Sequence, residues 1–205
     1  MRKKLLIALV IFLGVGIFAA AYAEGVKKDD VLFARYGLRG DGNTIYFHNM
    51  KRSPIIIPIG TEVKVISVSK EKIVVQRVDN SKQYKVLAFS DFWDKFFVRN
   101  RNEIGLESVS ADKRTVVDNN QVVEGMTKQE VYLSKGCPAY IGYGVKSNIH
   151  PLEEVMKSDI WYYNSNSRMK DAVITFENGH VTGMVDRATK VKQKMDAIKE
   201  KNEKK

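Results

Sequence analysis

The chain has one cysteine, four prolines and three histidines among 205 residues, and each shortage excludes something. One cysteine, Cys137, cannot form an internal disulfide or build a paired-cysteine metal site. His48, His150 and His180 are scattered, and no His-Glu-x-x-His pattern, acidic calcium loop or glycine-rich phosphate cradle occurs. No metal and no cofactor is expected. Beyond residue 23 no apolar run approaches the roughly 18 residues that suggest a membrane span. The formal net charge of +10 invites a polyanion partner, but it sits at the two ends: residues 1–23 supply +3 and residues 187–205 supply +5. The +2 left for residues 24–186 removes the case for nucleic acid.

The N-terminus has the three parts of a secretory signal. MRKK is a positive leader, LLIALVIFLGVGIFAAA an apolar stretch, and Ala21-Tyr22-Ala23 a small-x-small cleavage pattern. Residues 1–23 are therefore expected to be a signal peptide, with an uncleaved anchoring helix as the alternative. Either way the chain is exported, to the periplasm or cell envelope. No cysteine stands near the cleavage point to carry a lipid.

Residues 24–100 have β texture. Asp41-Gly42 and Gly42-Asn43 mark a turn, which also accounts for the adhesion-like Arg39-Gly40-Asp41. Pro54 and Pro58 bracket three isoleucines, which restricts that run to an edge strand or a crossing loop. TEVKVISVS, KIVVQRV and KQYKVLAF alternate as a three-strand meander, and five or so short strands in this span suggest a small barrel. SDFWDKFFVRN changes to helical spacing, with Phe92, Trp93, Phe96 and Phe97 as a hydrophobic plug. Residues 101–120 are polar and aperiodic and are read as a linker.

The second domain spans 121–186. Thr127 and Glu130 form a capping box, with Met126 and Val131 at staple spacing. Gly136 and Pro138 then stop the helix. The residues around Cys137 are thus explained by starting and stopping a helix, and no base is set beside the thiol to make it a nucleophile. LEEVMK suggests a second short helix. DIWYYNS, DAVITFEN and HVTGMVD read as three strands, the last two joined at Asn178-Gly179. The tail, 187–205, is lysine-rich and carries Val191, Met195 and Ile198 on one stripe.

Gly125-Met126-Thr127, Gly136-Cys137-Pro138, Trp161-Tyr162-Tyr163 and the run Phe176 to Val181 together resemble the BamE-like (SmpA/OmlA) domain over residues 121–186. IPIGTEVKVISVSKEKIVVQR resembles a bacterial SH3-like barrel, a module that often contacts wall peptides or other proteins. The resemblance implies an α+β chain: an SH3-like β domain over 24–100, then an ααβββ BamE-like domain. It also implies a non-enzymatic envelope protein that binds partners, similar to accessory factors of outer-membrane assembly, with no catalytic residues to carry over. Grip on peptidoglycan through the barrel is the alternative. Membrane contact is expected to be peripheral or through an uncleaved N-terminal helix.

Tyr, Trp and Arg are the usual anchors of protein interfaces. The expected partner-binding residues are Tyr140, Tyr143 and Lys146 in the loop 139–150, with Trp161, Tyr162, Tyr163 and Arg168 on and beside the first strand of the sheet. Strand alternation sends Trp161 and Tyr163 to one face and Tyr162 to the other, so one set belongs to the core.

Overall fold

The computed structural model describes residues 25–47, 53–166 and 169–186. The expected signal at 1–23, the tail at 187–205, His48 and Arg168 lie outside these residues. Among the described residues no helix is long and apolar enough to cross a membrane.

The expected architecture, a small SH3-like barrel followed by an ααβββ domain, is not what the chain adopts. Among the described residues it is mostly β, with thirteen strands in one curled sheet of eight and a second sheet of five. The first sheet is built from β1 (Val31–Ala34), β2 (Leu38–Asp41), β3 (Thr44–Tyr46), β4 (Ile55–Ile57), β5 (Glu62–Ser69), β6 (Lys72–Arg77), β7 (Gln83–Leu87) and β8 (Phe97–Val98). Its order is β4-β2-β3-β7-β6-β5-β1-β8. The meander β5-β6-β7 is as its alternation predicts, with Val63, Val65, Ile73, Val75, Tyr84 and Val86 all facing inward and buried. The sheet grows beyond a small barrel because β3 pairs parallel to β7 and because β1 takes β8 as a further neighbour. Strands of two to four residues carry too little alternation to announce such pairings.

The isoleucine run between Pro54 and Pro58 is β4, an edge strand paired only to β2. The aromatic segment is a 3-10 helix, Ser90–Lys95, that runs into β8. Gly40 is required by close approach. A Cβ there would lie 2.1 Å from the Thr44 carbonyl oxygen and 2.6 Å from the Ile56 side chain.

The second sheet has five strands rather than three: β9 (Tyr140–Ile141), β10 (Val145–Lys146), β11 (Ile160–Asn166), β12 (Met169–Glu177) and β13 (His180–Asp186), in the order β10-β9-β11-β12-β13. The turn from β12 to β13 puts Asn178 at φ 51° and Gly179 at φ 80°, as Asn-Gly hairpins do. Three short helices accompany it: α1 (Ala111–Asp118), α2 (Lys128–Lys135) and α3 (Leu152–Lys157). Helix α1 lies inside the segment read as a linker. Its Lys113 donates to Glu130 of α2 at 3.1 Å.

One core runs through both sheets. Its spine is a chain of rings: Phe96 to Tyr36 at 6.4 Å, Tyr36 to Tyr132 at 5.3 Å, Tyr132 to Trp161 at 6.0 Å and Trp161 to Phe176 at 4.8 Å. The last three are edge-to-face, the geometry favoured by the ring quadrupole.

Two substitutions test these local requirements by urea unfolding. Gly40→Ala drives a methyl group into the β2–β3 turn and is expected to cost about 2 kcal/mol or more. Thr127→Ala removes one half of the capping box of α2 and is expected to cost about 1 kcal/mol.

Candidate functional site

Helix α2 begins as its sequence dictates. Thr127 Oγ1 accepts from the Glu130 amide at 3.2 Å, and Glu130 Oε2 accepts from the Thr127 amide at 2.7 Å. It ends at Gly136, whose φ of 76° and ψ of −161° suit only glycine. The chain then turns through buried Cys137 and Pro138 into β9.

The residues expected to bind partners separate into a buried and an accessible set. Trp161 and Tyr163 are the core members of β11. The Trp161 indole donates to the Val155 carbonyl at 2.9 Å, and the Tyr163 hydroxyl to the Gly136 carbonyl at 2.8 Å. Tyr162 points to the opposite face. The register there sets Lys146 beside Tyr140, Tyr140 beside Tyr162, Tyr162 beside Val173 and Val173 beside Val185. Three of the expected residues, Tyr140, Lys146 and Tyr162, thus share one row across all five strands, joined by two valines. Tyr143 stands apart, fully exposed at the β9–β10 turn.

Sequence reasoning missed the neighbours that make the turn of interest. Val145, which follows Tyr143 by two positions, is exposed, as is Ile149 further along the loop. Tyr143 and Val145 line an open groove of about 390 Å³ together with Ile141, Gly142, His150 and Glu154 among others. His150 Nδ1 lies 2.5 Å from Glu154 Oε2, and its Nε2 is buried with no hydrogen-bond partner. Their signal was present as two further hydrophobic residues, Val145 and Ile149, in a glycine-bearing loop.

Behind this loop lies a buried polar cluster. Lys95 is 1 % exposed. Its ammonium donates to the Ser147 carbonyl at 2.5 Å and stands 4.6 Å from the centre of the Phe92 ring. The Tyr132 hydroxyl donates to the Lys95 carbonyl at 2.9 Å. Ser147 Oγ donates to the Pro138 carbonyl and is 3.6 Å from Cys137 Sγ. Burial raises the Cys137 pKa, although the nearby Lys95 ammonium opposes this. Burial lowers the Lys95 pKa, against the pull of Cys137, Asp94 and Glu154. A thiol held protonated and out of solvent is the opposite of an activated nucleophile. Among the described residues no group of three or more His, Cys, Asp or Glu side chains is placed to hold a metal ion.

No family model, curated protein or solved structure matches the chain.

The buried cluster makes stability depend on alkaline pH. Burial raises the pKa values of Cys137, Tyr36, Tyr132 and Tyr163. The unfolded chain therefore gives up these protons first, and stability is full below the unfolded thiol value near 9.0 and falls as pH rises past it. Lys95 acts in the other sense. Its folded pKa lies below the ordinary 10.5, so its contribution improves as pH rises toward that value. Urea midpoints between pH 8 and 10.5 are expected to fall less in Cys137→Ala and more in Lys95→Met than in the wild type.

Proposed function

We propose that the chain is an exported bacterial envelope protein that acts as a non-enzymatic binding or assembly accessory, in the manner of outer-membrane assembly accessory factors. Export rests on the pattern of residues 1–23. Binding rests on one observation above the others: a fully exposed tyrosine, Tyr143, which with exposed Val145 lines an open groove. A large apolar side chain left entirely in water gains nothing for the fold. Buried against a partner, it supplies the contact area and the hydroxyl that make tyrosine a common interface anchor. The row Lys146-Tyr140-Tyr162-Val173-Val185 leads away from this point and extends the surface a partner would meet.

The expected partners are envelope proteins, outer-membrane assembly components among them. A photo-crosslinking residue at position 143 of the full chain in living cells is expected to capture them, whereas the same residue at Val78, exposed in the turn after β6, is not. Tyr143→Ala combined with Val145→Glu is expected to reduce capture from a second crosslinker at position 149 by roughly tenfold, about the effect of one interface anchor, with the urea midpoint unchanged. Recovery of peptidoglycan fragments or wall enzymes at position 143, in place of assembly components, overturns this reading.

A further inference from the structure

Lys95 is a lysine where packing alone would favour an apolar side chain. A buried ammonium loses its hydration, and an apolar residue of similar volume often serves stability as well or better. Among the described residues it forms no ion pair: its ammonium has the Ser147 carbonyl and the Phe92 ring. What distinguishes it is what it holds. From the end of the 3-10 helix in the first half of the chain, it reaches across 52 positions to the loop beyond β10.

Ser147 is where the anchors converge. It is fully buried, its amide donates to the Ala139 carbonyl at 3.1 Å, and its hydroxyl donates to the Pro138 carbonyl. Lys95 then takes its carbonyl. Tyr132 holds Lys95 in turn through the backbone carbonyl of that lysine. Exposed large hydrophobic side chains stand on either side of this fixed residue, Tyr143 and Val145 before it and Ile149 after.

We infer that Lys95 is a positioning residue for the partner-binding loop, pinning Ser147 so that Tyr143, Val145 and Ile149 are presented in a preformed arrangement. A partner then meets a loop whose ordering cost has already been met by the fold. The purpose of the pinning rests on the binding reading above. The pinning itself rests on the geometry alone.

Hydrogen exchange followed by mass spectrometry on the full chain tests this directly. In Lys95→Met, segments covering residues 140–150 are expected to exchange about tenfold faster or more, the scale of one lost charge-assisted hydrogen bond, while β5, β6 and β7 keep their wild-type rates. Unchanged exchange at 140–150, or an equal rise throughout the chain, overturns the role. Should this variant fail to fold, nitrogen-labelled lysine in the wild type decides the matter by magnetic resonance. One ammonium group with protons exchanging at least roughly tenfold more slowly than those of exposed lysines is expected, and its absence overturns the role. A crosslinker at position 143 is read separately. If it gives no adduct in the wild type, the partner reading fails while the exchange result still decides the role of Lys95.

Discussion

Tyr132 is the residue on which the two halves of this protein depend. Its ring meets Tyr36 of the first half edge-on and Trp161 of the second sheet edge-on, and its hydroxyl donates to the backbone of Lys95. Buried tyrosine requires that last bond, because an unsatisfied hydroxyl in an apolar core costs free energy that its ring contacts would have to offset. Helix α2 exists to place it. That helix is eight residues long, too short to hold by propensity alone, and five of its residues are buried. Its capping box and its stop at Gly136 set the length and register that aim Tyr132 between the sheets.

The polar cluster next to this contact shows how the interior constrains the surface. Lys95, Tyr132, Cys137 and Ser147 come from separate elements and meet at the foot of the β9–β10 loop. All four side chains are buried, and Cys137 is a packed thiol. Its chemistry is structural, with hydrogen bonds that fix a loop whose exposed side carries Tyr143, Val145 and Ile149. The exposed and buried faces of residues 140–150 are two sides of one construction.

The free edges of the sheets are handled by local means. β4 stands between Pro54 and Pro58, which remove ladder donors at both ends. β13 carries an irregularity opposite Thr175 and Phe176, which breaks the straight run of pairing groups. β10 is only two residues long. Each device weakens strand addition by another chain at that edge.

The sequence by itself determined the features whose physics is local. The capping box at Thr127, the stop at Gly136, the Asn178-Gly179 hairpin, the meander β5-β6-β7 and the exclusion of the isoleucine run between two prolines from a central strand follow from residues within a few positions of one another. It also separated Tyr162 from Trp161 and Tyr163 by alternation, and Trp161 and Tyr163 are the buried pair. Only the tertiary structure decided the rest. The parallel pairing of β3 with β7, the pairing of β8 with β1 and the addition of β10 and β9 to β11 turned a small barrel and a three-stranded sheet into sheets of eight and five. The bond from Lys95 to Ser147 joins residues 52 positions apart. Such contacts leave no periodic trace, because a two-residue strand has no alternation to read and a buried lysine among four aromatic residues looks like part of a plug until its acceptor is known.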